Sequence, residues 1–130
     1  MVYVTNVEEV EQEELEKGEA RLTKVKYLID ERHGAGRFFM RVYDVMPGGR
    51  TPLDRHPYEH EVYVLRGTAT LVTEEEGRRL RLKLKEGDVV FIGQNQVHQF
   101  LNEGSETFRM LCVRGAVVHK EEQRAEEGSC

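Results

Sequence analysis

A chain of 130 residues with 38% apolar and 33% charged side chains has the balance of one globular domain with a single core, and leaves no length for a second catalytic domain. Its formal net charge of −5 repels a phosphate backbone, and no run approaches the roughly 20 apolar residues that span a bilayer, so neither nucleic acid nor membrane is expected as a partner. The acidic start MVYVTNVEEVEQEELEKGE lacks the basic and apolar stretches of a signal peptide, and two cysteines (Cys112 in a strand-like run, Cys130 last) make no disulfide framework; both features predict a cytoplasmic protein.

Residues 7–18 are acidic and suit either a short helix or a solvated arm. From Arg21 the chain reads as strand after strand. Arg21–Ile29 and Arg37–Met46 alternate and are rich in β-formers, and Pro47-Gly48-Gly49 is expected to end the second. Glu61–Leu65 follows and closes at Arg66-Gly67. Thr68–Thr73 and Arg79–Leu84 flank a charged hairpin tip containing Gly77. Val89–Ile92 and Val97–Leu101 lie around Gly93-Gln94-Asn95, and Thr107–Val113 is the last strand. Phe38, Phe39 and Phe91 are read as core. The organisation expected is an N-terminal arm over 1–20, a barrel over 21–118 and a charged flexible tail over 119–130. Short strands with regular turn signals and no long amphipathic helix predict an all-β sandwich or barrel.

Three of the five histidines draw attention with one carboxylate. Asp54, His56 and His60 fall within seven residues, and His98 lies 38 residues beyond His60. Residues 54 and 56 share a side of an extended segment. His60 follows a short turn at the start of a strand, and His98 opens another, so barrel closure can bring them together. Neutral imidazoles with a carboxylate suit Mn, Fe, Co, Ni, Cu or Zn. His33 and His119 are read as surface residues. Each histidine alone is more ordinarily a surface or hydrogen-bonded core residue; the combination is what points to metal.

The spacing then resembles two motifs of the cupins. In the first, Gly48 is followed by five residues, Asp54, Arg55, His56, three residues, His60, six residues and Gly67. In the second, Gly87 is followed by five residues, Gly93, Gln94, Asn95, two residues, His98, three residues and Asn102. The resemblance implies a single-domain double-stranded β-helix (jelly-roll) cupin barrel that closes over its strand edges. It implies one divalent transition metal per chain, Mn or Fe before Cu, Ni, Zn or Co. It also implies a homodimer sharing edge strands, and turns Arg41, Met110 and Cys112 toward the pocket.

The departures bear on chemistry. Asp54 stands where the family usually has its first histidine, and His60 where it has glutamate; Gly93 and Asn95 replace a proline and a glycine. The segment His56-Pro57-Tyr58-Glu59-His60-Glu61 resembles a small bacterial subgroup with four histidine ligands and a manganese-type site. Adjacent strand residues face opposite sides, and counting six residues back from Gly67 selects His60 over Glu61 as the inward one. Asp54 has three readings: a direct ligand, a proton acceptor working through a water, or the mark of a lost site. Arg41 is either an anion-binding group or an exposed strand charge, and Cys112 is a buried structural cysteine before it is a nucleophile.

No phosphate-cradling loop or Gly-x-Ser-x-Gly elbow accompanies these residues. Two functions are carried forward. The first is a metal-dependent enzyme on a small oxygen-bearing molecule, by dioxygenase-like oxidation or, close behind, isomerase or lyase chemistry. The second is a module that binds or senses a sugar-like molecule without turnover.

Overall fold

A computed structural model describes residues 1–116; the tail predicted for 119–130, with His119 and Cys130, lies outside them. Nine strands follow in order: β1 (Glu13–Glu14), β2 (Arg21–Ile29), β3 (Phe38–Arg50), β4 (His60–Arg66), β5 (Ala69–Glu75), β6 (Arg78–Leu84), β7 (Val89–Ile92), β8 (His98–Leu101) and β9 (Phe108–Gly115). They join in one curled sheet in the order β6-β5-β8-β3-β9-β4-β7, with β2 also on β3 and β1 on β2. Every pairing is antiparallel, as jelly-roll barrel topology requires. Among the described residues no helix is long and apolar enough to cross a membrane.

Residues 7–18 form neither a short α-helix nor a wholly solvated arm. Val7–Glu9 makes one 3-10 turn, capped where the Asn6 side chain accepts from the Glu8 N–H at 2.9 Å. Leu15 is then buried in the core, and its N–H donates to the Thr23 carbonyl at 2.9 Å. A single apolar anchor in an acidic run thus docks the segment along β2.

Strand β3 does not stop at Met46. It runs through Pro47-Gly48-Gly49 to Arg50 and passes from β9 to β8, where Arg50 pairs with Leu101. Gly48 takes φ +82° at this bend, a conformation open to glycine, and its N–H donates to the Asn102 carbonyl at 2.9 Å. The Pro-Gly-Gly signal therefore marks a strand changing neighbours. The β5–β6 tip behaves as expected, with Glu76 at φ +52° and Gly77 at φ +75°, the left-handed pair of a tight hairpin.

The interior is laid out in rows across β4, β9, β3 and β2. Phe108 stands with Val45 and Thr23; Met110 with Val64, Tyr43 and Val25; Cys112 with Val62, Arg41 and Tyr27; Arg114 with His60 and Phe39. The first two rows are packed core, closed by Leu71, Phe100 and Leu84 from the opposite strands. The last two become polar, and the candidate site lies there. Phe39 is inward, but Phe38 is 69% exposed and Phe91 63% exposed, which corrects the reading of both as core. Strand alternation puts Phe38 and Phe91 on the outer face, beside inward Phe39 and Ile92.

Candidate metal centre

The segment between β3 and β4 carries two prolines, Pro52 and Pro57, and runs as irregular chain beside β8. One antiparallel bridge holds it there: the Asp54 N–H donates to the His98 carbonyl at 3.0 Å, and the His98 N–H to the Asp54 carbonyl at 2.9 Å. The Asn95 N–H also donates to the His56 carbonyl at 2.6 Å from a φ of +61°. Asparagine tolerates this left-handed conformation better than most residues, so Asn95 can serve where the motif usually has glycine.

His56 from this segment, His60 from β4 and His98 from β8 converge. One ring nitrogen of each lies within 4.8 Å of the others, and all three side chains are buried. The ring centroids are 4.9–5.2 Å apart. Tyr58 stacks on His56 at 4.9 Å and fixes its plane. His98 Nδ1 lies 2.9 Å from the Gln96 carbonyl oxygen, which can only accept, so Nδ1 carries the proton and Nε2 keeps its lone pair. His60 Nδ1 faces the Cys112 sulfur at 3.9 Å.

His60 Nε2 is buried with no hydrogen-bond partner among the described residues. Such an orphan is costly in a folded interior unless something binds it. Burial first, then the neighbouring His98 and His56, push the His60 imidazolium down to about 2, so the ring is neutral at physiological pH with its lone pair available. Three buried imidazoles with converging nitrogens form a donor set that fits a first-row divalent ion.

Asp54 stands apart from this group. Its backbone is locked to His98, but its half-buried carboxylate lies 3.5 Å from Lys17 Nζ. Glu61 is exposed next to inward His60. Arg41 is buried, donates from Nη1 to Tyr43 Oη at 3.3 Å, and lies over Tyr27 at 5.2 Å. Cys112 occupies the same row, whereas Met110 sits one row deeper in the apolar core. His33 does not approach the triad; it caps the 3-10 turn Glu31–His33 and stacks on Tyr3 at 4.5 Å.

Several residues of the site escaped the sequence reading. Arg114 is the largest, 1% exposed on the inward face of β9. Extending the alternation Phe108, Met110, Cys112 by one step would have found it. Tyr43 and Tyr58 follow the same logic on β3 and on the histidine segment. Lys17 has no local signal, since it comes from the docked N-terminal segment.

A model of the cupin domain matches residues 41–114, which contain all three histidines. The chain belongs to the cupin family. As a cupin it is similar to the polyketide cyclase RemF from Streptomyces resistomycificus, 33% identical with a TM-score of 0.80 over 88% of this chain and 80% of that one. A predicted oxalate decarboxylase from Thermotoga maritima shares the fold at 19% identity and a TM-score of 0.75, over 88% of this chain and 100% of that one. So does a sugar phosphate isomerase of the cupin superfamily from Silicibacter pomeroyi, at 17% identity and a TM-score of 0.74, over 88% and 76%. No curated protein matches this cupin significantly.

Proposed function

We propose that this cupin holds one divalent transition metal through His56, His60 and His98 and is an enzyme acting on a small oxygen-bearing molecule. The observation that carries the reading is the buried His60 Nε2, unpartnered among the described residues and aimed into a cluster of three histidines. When bound, the ion supplies Lewis-acid or redox chemistry to a substrate oxygen.

The chain's own groups do the rest. The bond from His98 Nδ1 to the Gln96 carbonyl holds that ring, and the Tyr58 stack orients His56. The placement of Asp54 supports its role as proton acceptor over that of fourth ligand: it shares the His98 row, its carboxylate is outside the ligand cluster, and Lys17 Nζ lies 3.5 Å from it. A base beside the site suits proton removal next to a carbonyl. The likeness to a polyketide cyclase at 33% identity supports such non-oxidative carbonyl chemistry ahead of the dioxygenase-like route.

The test is elemental analysis of untagged protein purified without chelator, beside His60→Ala and His98→Ala. Near-stoichiometric metal that both variants lose is expected. Absence of metal, with no uptake of Mn, Fe, Cu, Ni or Zn, would overturn the reading in favour of a binding module. Turnover with no uptake of dioxygen would select carbonyl chemistry; dioxygen consumed in step with product would select oxidation.

A further inference from the structure

The inward face of β9 ends on a cation that the metal reading does not use. Arg114 pairs across the ladder with His60 on one side and Phe39 on the other, so its side chain enters the same row as a ligand histidine. Its guanidinium lies 4.2 Å from the Tyr58 ring centroid and 4.9 Å from that of Phe39. Both rings are within cation–π reach, and Tyr58 also engages the guanidinium through a side-chain hydrogen bond. Nε and Nη1 are buried and have no hydrogen-bond partner among the described residues. None of the ion pairs among the described residues reaches Arg114.

A second buried guanidinium, Arg41, stands one row deeper, opposite Cys112. Two guanidinium charges at one end of an interior are strongly unfavourable without a counter-anion. A divalent ion on the triad would add more positive charge. Asp54, the carboxylate on the neighbouring row, is already shared with Lys17.

We infer that Arg114, backed by Arg41, forms an anion subsite beside the histidine triad, and that the ligand it takes is a small organic carboxylate with a second oxygen directed at the metal position. This rests on the metal reading for that second oxygen only. A guanidinium presents its N–H donors in one plane, which matches a planar carboxylate better than a tetrahedral phosphate.

The experiment is calorimetric titration in chloride-free buffer with pyruvate, its uncharged amide pyruvamide, and inorganic phosphate. The proteins are the metal-loaded wild type, Arg114→Gln and Arg114→Lys, with metal content measured on each sample. Pyruvate is expected to bind the wild type more tightly than either comparator. Arg114→Gln is expected to weaken it by about tenfold or more at unchanged metal content, and Arg114→Lys to recover only part of that loss, because the charge returns without the flat donor edge. Should Arg114→Gln fail to fold, Arg114→Lys and the pyruvamide comparison still decide. No saturable pyruvate binding, equal binding of pyruvamide, tighter binding of phosphate, or indifference to Arg114 would each overturn the inference. A metal-depleted sample separates the two readings. Pyruvate binding that needs Arg114 in a protein that never takes up metal sinks the metal reading alone. Stoichiometric metal with pyruvate binding blind to Arg114 sinks this one alone.

Discussion

At one end of the barrel β9 turns Phe108 and Met110 inward against Val45, Tyr43 and Val64; at the other, the same face of the same strand turns Cys112 and Arg114 toward Arg41, Phe39 and His60. The backbone arrangement is identical, and period-two alternation decides what faces in at both ends. What differs is the sign of the energetics. The apolar end removes hydrocarbon from water, with the Phe100 and Phe108 rings stacked 6.1 Å apart, and so stabilises the fold. The polar end buries guanidinium groups and an unpartnered imidazole nitrogen, which opposes folding unless bound ligands compensate them. One strand thus joins an apolar core to a buried polar region.

The contrast predicts opposite outcomes for truncation. Phe108→Ala at the apolar end should cost about 3–5 kcal/mol in urea denaturation, while the folded fraction still takes up metal. His98→Ala should abolish the metal-linked stabilisation, which is about 4 kcal/mol for wild type when free metal is about 1,000 times its dissociation constant. Chelator added to the wild type should remove the same increment, and a melting temperature indifferent to chelator would break this half of the comparison. Arg114→Met should leave ligand-free stability unchanged or raise it by about 1 kcal/mol, because a buried, uncompensated charge is exchanged for hydrocarbon. If instead it unfolds the protein as Phe108→Ala does, the two ends are not energetically distinct.

Much of this contrast was legible in the sequence, and the illegible parts have physical causes. The strands of the barrel show as alternating runs, and the two motif spacings carry His56, His60 and His98 to the correct elements. Arg114 was missed because a charged residue near the end of a run reads as its exit; only ladder pairing with His60 and Phe39 shows it still inside. Pro47-Gly48-Gly49 reads as a stop because local signals cannot see that β8 is waiting to accept the strand. The direction of the Asp54 carboxylate depends on Lys17, a residue 37 positions away on a segment with no periodic pattern. Strand β1 consists of two exposed glutamates and exists through backbone pairing alone.

Glycines give a smaller and sharper test of the same packing. Gly67, at φ +77°, closes the β4–β5 turn over the Thr107 backbone, and an added Cβ would fall inside contact distance of the Thr107 carbonyl oxygen. Gly77 has nearly the same conformation, φ +75°, with nothing within 4 Å. Gly77→Ala should therefore cost only the left-handed strain, about 1–2 kcal/mol. Gly67→Ala should cost clearly more, because strain and clash combine. Equal losses in denaturation would mean that the close approach at Gly67 is relieved without penalty.

The smallest effect belongs to a charge that is exposed where those of the arginines are buried. Glu103, between β8 and β9, accepts from Thr70 Oγ1 at 2.7 Å and from Arg81 Nη2 at 2.7 and 2.8 Å. The Thr70 hydroxyl first, and Arg81 next, hold its carboxyl at about 2, below the ordinary 4.5. Since the folded value lies below the unfolded one, the stabilisation is complete above 4.5 and is lost as pH falls from there toward 2. Water screens the pair, so the whole contribution is small and salt-sensitive. Wild type should be slightly more stable than Glu103→Gln at about pH 6, and the gap should close at about pH 3 and in about 1 M salt. A gap that survives acid and salt would show that the hydrogen-bonding shape of Glu103, not its charge, supports the loop. The rule that exposed charges contribute little would then hold even more strictly, with shape alone supporting the loop at the apolar end.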